Sequence, residues 1–200
     1  MKNRNWIGNS KSVYSTLGAS SHSKVERQRE DYYATDPKAI DLLFEQEIFD
    51  VNIWEPACGE GHLSKRMTDL ESFRLINVYS SDLIDRGFGD VIDFLAIDNL
   101  EWKGDIITNP PYKYAQEFIE KSMQIIPDGN RIAMFLKLQF LEGKKRKELF
   151  KIYPPTTIYV SSSRILCGLN GVFKGSSAVA YCWYIWEKGY KGDTIIKWIN

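Results

Sequence analysis

The 200 residues, 44% hydrophobic and 26% charged, suffice to bury one sizeable core and exclude a fibrous or largely disordered chain. Lys plus Arg (26) equal Asp plus Glu (26), and Cys58, Cys167 and Cys182 are odd in number and never spaced Cys-x-x-Cys, so neither a disulfide framework nor a zinc site is suggested. No apolar stretch of signal-peptide length opens the polar N-terminus and the most apolar run, 178–186, is too short to span a bilayer, so a cytoplasmic protein with no membrane and no metal is expected.

Residues 1–30 lack hydrophobic periodicity and are rich in Ser, Lys and Arg, which predicts a polar arm ahead of a single domain over 31–200. From Asp36, a plausible N-cap, Pro37 and the apolar Ile40, Leu43 and Phe44 at helical spacing predict a first helix. A strand over 51–54, a glycine turn, a helix over 62–70 and a strand over 75–79 follow. A weaker strand near Val91, strands at 105–108 and 131–136, and an intervening helix over 115–126 continue the alternation. Alternating strands and helices predict a mostly parallel sheet covered on both faces. The final third differs: β-branched and aromatic runs at 156–160 and 177–186 are close enough to pair as antiparallel strands.

The neutral total conceals an asymmetry. Residues 31–110 hold 17 Asp/Glu against 6 Lys/Arg, and residues 131–174 hold 9 Lys/Arg against 2 Asp/Glu. The basic excess centres on Lys144, Lys145, Arg146 and Lys147, which read either as a phosphate-neutralising surface or as a solvated helix face.

Three places carry chemistry. In Glu55-Pro56-Ala57-Cys58-Gly59-Glu60-Gly61, placed between a strand and a helix, Gly59 and Gly61 let backbone approach a ligand at free helix amides. Acidic Glu55 and Glu60 disfavour a phosphate and suit a cationic, hydroxyl-bearing ligand such as S-adenosylmethionine. Asp82, past the next strand, is placed to accept from ribose hydroxyls, with Asp85 ranked after it and a helix cap as the other reading. Asp93 and Phe94 could hold the edge and face of the cofactor adenine; an ordinary loop Asp and a core Phe are the alternative. The third place is Asn109-Pro110-Pro111-Tyr112, directly after the fourth strand. An aromatic amino group is a poor nucleophile until its protons are drawn to fixed acceptors, and the Asn109 side-chain oxygen and the Pro110 carbonyl are suited to that. Pro110 and Pro111 stiffen the turn, and Tyr112 offers a ring on which a base can stack.

With these motifs the chain from Tyr32 onward resembles the amino-methyltransferases of the Rossmann-like class, especially the small adenine DNA methylases of bacteriophages and prophages. Tyr33-Ala34-Thr35-Asp36-Pro37 resembles their N-terminal cofactor motif, and its position ahead of the catalytic tetrad is the gamma order. The resemblance implies a Rossmann-like seven-stranded sheet with an antiparallel last strand, S-adenosylmethionine as cofactor, and Thr35 at the cofactor carboxylate. It implies that residues 135–143 flank the target-base pocket and that an aromatic from a later loop, for which Phe173 is the candidate, closes its second face. Many relatives carry a separate target-recognition domain after the tetrad; the 88 residues after Tyr112 are expected to be taken up mostly by the sheet, so no such domain is expected.

The expected activity is methyl transfer to the 6-amino group of a flipped adenine in DNA. RNA adenine or protein glutamine methylation uses the same tetrad, and the Glu-Pro-Ala-Cys-Gly form of the turn favours the DNA group. A catalytically silent nucleic-acid-binding subunit is a third reading, against which the intact Asn109 and Tyr112 stand.

Overall fold

A computed structural model describes residues 33–70, 76–169, 173 and 179–200. The expected arm over 1–30 lies outside them. In chain order the elements are β1 (Tyr33–Thr35), α1 (Lys38–Phe44), β2 (Asn52–Glu55), α2 (His62–Asp69), β3 (Asn77–Asp82), β4 (Asp90–Val91) and β5 (Asp105–Thr108). They continue with α3 (Ala115–Ile125), β6 (Arg131–Lys137), α4 (Lys144–Ile152), β7 (Thr157–Ser161), β8 (Cys167–Leu169), β9 (Tyr181–Glu187) and β10 (Ile195–Ile199). Short 3-10 turns precede α3 and follow β6.

The main sheet has the order β10-β7-β9-β6-β5-β2-β3-β4. β9 runs antiparallel to both its neighbours, β6 and β7, and the other pairs are parallel. The sheet therefore has the expected mixed Rossmann-like form, with two differences. It contains eight strands, and the antiparallel one is the penultimate, because β10 returns parallel to β7 at the edge. Ile195, Ile196 and Trp198 of β10 are exposed, so the strand lacks the buried alternation by which a sequence declares itself. β1 and β8 pair separately as an antiparallel ribbon.

Strand alternation divides the apolar side chains between the two faces of the sheet. Ile53, Ile107, Phe135 and Trp183 point to one face, where Ile40 and Leu43 of α1 and Leu63 and Met67 of α2 cover them. Their neighbours Trp54, Ile106, Met134 and Tyr184 point to the other, under Phe118, Ile119 and Met123 of α3 and Leu149 of α4. In α3 the buried positions recur three and four apart, the stripe that binds a helix to a sheet. Asp36 accepts from the Lys38 amide at the head of α1, at 3.0 Å. At the lower end of β5, Asp105 is buried yet accepts from Asp50 N, Asn130 Nδ2 and Arg131 N at 2.7–2.9 Å, which ties the loops before β2 and β6 to the central strand. The opposite, carboxyl ends of β2, β3 and β5 carry the motifs singled out in the sequence, as open α/β sheets require of a ligand site.

Candidate active site

The turn after β2 is built tightly. Gly59 and Gly61 have φ of 55° and 78°, the left-handed region that side chains rarely adopt. A Cβ at Gly61 would also run into the Phe88 ring, so this glycine answers to packing as well as to any ligand. Two amides of the turn find partners on or beyond β3: Cys58 N donates to Ser81 O at 2.9 Å, and Gly59 N to Asp82 Oδ2 at 2.8 Å. The other Asp82 oxygen accepts from Ile84 N at 3.0 Å. Asp82 thus braces the glycine turn, and each carboxylate oxygen keeps a second lone pair for a ligand hydroxyl. Asp85 is exposed and accepts from Gly87 N at 2.9 Å.

Beneath the turn Glu55 is buried, at 2% exposure, and Ser64 Oγ donates to it, with Ser80 Oγ 2.6 Å from the same hydroxyl. Desolvation raises the Glu55 carboxyl from the ordinary 4.5 to about 8, and the charge of Asp82 adds to the effect against the Ser64 hydrogen bonds. Burial first, then Glu55 and Asp82, push the neighbouring Cys58 thiol up to about 12. An acidic pair at a glycine turn repels phosphate. It fits a ligand with a positive charge and hydroxyls, and a cation placed there would favour the ionised form of Glu55 against the desolvation that keeps it protonated.

The second turn follows β5. Asn109 is half-buried, Pro110 buried and Pro111 exposed, and Pro111 O accepts from Tyr114 N at 2.8 Å, closing the 3-10 turn that leads into α3. The Asn109 amide nitrogen donates to Thr35 Oγ1 at 2.7 Å. The Tyr112 hydroxyl lies 3.5 Å from Cys167 Sγ, and its ring stands 5.9 Å from that of Tyr181, tilted by 30°. Desolvation first, then the neighbouring Cys167 and Tyr181, hold the Tyr112 phenol well above its usual range. Lys137, the last residue of β6, places Nζ 4.8 Å from the centre of the Tyr112 ring.

Beside Tyr112 lies a cleft of about 250 Å³ whose walls include Lys137, Gln139, Phe140 and Arg146. Of the four basic residues at the head of α4, Lys144, Lys145 and Lys147 are exposed, whereas Arg146 is half-buried. Its guanidinium donates to the Gln139 and Glu142 carbonyls at 3.0 and 3.3 Å and lies 4.4 Å from the Phe140 ring centre. The run divides into three solvated lysines and one arginine that fastens the cleft wall.

The other expected residues have described partners of their own. Asp93 caps a 3-10 turn by accepting from Leu95 N and Ala96 N, and Phe94 is buried in the core between Trp54 and Phe118, at ring distances of 5.2 and 5.0 Å. The Phe94 ring is core packing, the alternative left open by the sequence. Phe173 meets His62 edge-on at 5.6 Å, at the head of α2 beside the glycine turn; its described ring partner is not Tyr112. Around Tyr112 stand Lys137, Cys167 and Tyr181, of which the last two escaped the sequence reading. Only Lys137 lay within a segment assigned to the pocket, and the other two are brought in by pairing between distant strands.

No protein-family model and no curated protein matches the chain in sequence. Solved structures do match in fold. A protein from Listeria monocytogenes classed as a class I S-adenosylmethionine-dependent methyltransferase superimposes with a TM-score of 0.56 at 16% identity, covering 80% of this chain and 62% of its own. The methyltransferase subunit of a type I restriction-modification system from Streptococcus thermophilus gives 0.60 at 12%, covering 84% and 47%. The M protein of the type I restriction enzyme EcoKI gives 0.54 at 15%, covering 82% and 45%. The chain spans 45% to 62% of the length of these three proteins. With β9 reversed between β6 and β7 and the glycine turn after β2, the chain has the Rossmann-like fold of the class I S-adenosylmethionine-dependent methyltransferases.

Proposed function

We propose that this protein transfers a methyl group from S-adenosylmethionine to the 6-amino group of an adenine in DNA. One observation carries the reading. Asn109-Pro110-Pro111-Tyr112 stands at the carboxyl end of the central strand β5, next to the strand whose turn presents Gly59, Gly61 and the buried Glu55, and the Asn109 amide is held in a set orientation by Thr35. Glu55, Gly59 and Asp82 would hold the cofactor, whose sulfonium supplies an electrophilic methyl group when bound.

The chain's own part is to prepare the nucleophile. The amino nitrogen of adenine shares its lone pair with the ring, and that pair is freed as the protons are drawn to acceptors. With its nitrogen committed to Thr35, Asn109 turns Oδ1 the other way, to accept one amino proton. The Pro110 carbonyl, on a turn stiffened by two prolines, accepts the second without further loss of backbone entropy. Tyr112 supports the base face, worth on the order of 1–3 kcal/mol, which offsets much of the cost of unstacking it from a duplex. The reaction needs no general base of high pKa, because the methylated nitrogen loses its proton readily to water.

DNA is favoured over RNA or a glutamine side chain by the exposed Lys144, Lys145 and Lys147, on the helix whose Arg146 lines the Tyr112 cleft, and by the fold shared with subunits named for type I restriction-modification. Incubation with tritiated cofactor and, separately, duplex DNA, single-stranded DNA, RNA and protein extract, followed by digestion of the labelled polymer, tests the reading. Label recovered as N6-methyladenine from DNA is expected; label confined to glutamine or to RNA overturns the choice of polymer, and none overturns the activity.

A further inference from the structure

Neither Asn109 nor Tyr112 is held by its own turn alone. The Asn109 carboxamide is fixed by Thr35 on β1, and the Tyr112 hydroxyl meets Cys167 on β8. Thr35 and Cys167 are directly opposed across the antiparallel β1–β8 ribbon, so one cross-strand rung touches both working side chains of the tetrad. The ribbon is pinned further where Asp36 N donates to Leu166 O at 3.0 Å. Thr35 is 3% exposed and stands across the ribbon from Cys167, whose sulfur is 3.5 Å from the Tyr112 hydroxyl.

The hydrogen-bond inventory gives this rung a direction. A threonine hydroxyl has one proton and two lone pairs. Thr35 Oγ1 accepts from Asn109 Nδ2 and can turn its own proton to the Cys167 sulfur, a weak acceptor whose thiol stays protonated because burial raises its pKa. An Asn side chain that lost this partner could flip by 180° at little cost, exchanging an acceptor for a donor at the point where an acceptor is required. On the same rung, Cys167 fixes the tilt of the Tyr112 ring from its hydroxyl end.

We infer that the Thr35–Cys167 rung is a positioning device for the tetrad, and that the Thr35 hydroxyl acts on turnover through Asn109 and not on the affinity for the cofactor. This rests on the reading of Asn109 and Tyr112 as acceptor and platform for a planar amino group, but not on which polymer carries it. It departs from the role that the motif around Thr35 implies, contact with the cofactor carboxylate.

Thr35→Val keeps the shape and β-branching of the side chain and removes only the hydroxyl; Thr35→Ser restores it. The expected result for Thr35→Val is a fall in kcat of about tenfold or more, with the cofactor Kd by calorimetry and the KM for the polymer both within about threefold of wild type. Thr35→Ser should recover most of kcat. In an Asn109→Ala background Thr35→Val should add nothing, since the partner through which it acts is gone. A raised cofactor Kd with kcat unchanged would show that the hydroxyl is a cofactor ligand and overturn the inference, as would equal losses for Val and Ser. If wild type methylates RNA or glutamine in place of DNA, the same variants are measured on that substrate. If it methylates nothing, the functional reading falls separately, and the rung is still tested by the Asn109 carboxamide signal in 15N-resolved spectra, assigned by its loss in Asn109→Ala. That signal should shift and exchange faster in Thr35→Val and not in Thr35→Ser. An unmoved signal overturns the inference, and Cys167→Ala, read on the Tyr112 ring resonances in the same way, covers the case in which Thr35→Val fails to fold.

Discussion

At the scale of single residues, Glu55 makes the clearest claim. Its carboxyl is held at about 8 against the ordinary 4.5, so the native state keeps the proton where the unfolded chain has released it. Unfolding therefore releases a proton between pH 4.5 and 8, and stability falls as pH rises through that window. Glu55→Gln, neutral throughout, should flatten this slope; urea midpoints of the two proteins from about pH 5 to 8 check it, and parallel curves would remove the buried carboxyl as the cause. A cationic ligand favours the ionised form, so S-adenosylmethionine should bind more tightly as pH rises toward 8, by up to about tenfold per unit, with a proton released that calorimetry in buffers of different ionisation heat detects. Asn109→Ala should abolish methyl transfer while leaving cofactor affinity nearly intact. Tyr112→Ala should impair turnover severely, and Tyr112→Phe should keep most of it, because the missing partner is a thiol at 3.5 Å, a weak acceptor, and the ring face proposed to support the base is retained. Phe as inactive as Ala in steady-state assays would show that the hydroxyl does more than steady the ring.

Among the elements, α4 and the β1–β8 ribbon are those to which the proposals assign a part beyond the sheet. The basic run at the head of α4 is not uniform. Replacing Lys144, Lys145 and Lys147 together by Gln should weaken DNA binding alike on all sequences and lower the slope of log affinity against log salt by about 0.9 for each duplex phosphate that is no longer neutralised. Arg146→Ala should act otherwise. Its guanidinium is committed to the Gln139 and Glu142 carbonyls and the Phe140 ring, so its removal should loosen the wall of the cleft beside Tyr112 and lower thermal stability, with little change in salt slope. Filter binding across a range of about 50–200 mM salt separates the two; equal slopes for all four residues would mean that Arg146 leaves its carbonyls to meet phosphate.

For the whole molecule, two apolar layers share one sheet, and each depends on the other through the central strands β5, β6 and β9. Trp183 is fully buried on β9, and its indole nitrogen donates to Ala39 O of α1 at 2.8 Å, which fastens a helix from the start of the domain to a strand near its end. Trp183→Ala removes a large buried ring and its hydrogen bond to the Ala39 carbonyl, and should cost about 3–5 kcal/mol of folding stability. Urea unfolding followed by both far-ultraviolet circular dichroism and fluorescence checks this. A loss under about 1 kcal/mol, or transitions that no longer coincide, would show that the two layers unfold independently.

Much of this was legible in the chain order of residues. Apolar runs and helical spacing located β2, β5, β6, β9 and α1 to α3 within a few positions, and the two turns were identified because glycine frees the backbone and proline fixes it wherever they stand. What sequence left open was decided by neighbours far apart in the chain. Phe94 is core because Trp54 and Phe118 enclose it; Arg146 is a brace because two carbonyls lie within reach; β10 is a strand because β7 offers it an edge, against its own exposed pattern. The Thr35–Cys167 rung is the fullest case. Strand register places those two residues opposite each other, and no spacing rule connects them, so the device that orients Asn109 exists only once the ribbon has formed. Local chemistry determined which residues can act here, and tertiary pairing determined which of them are held in a state to do so.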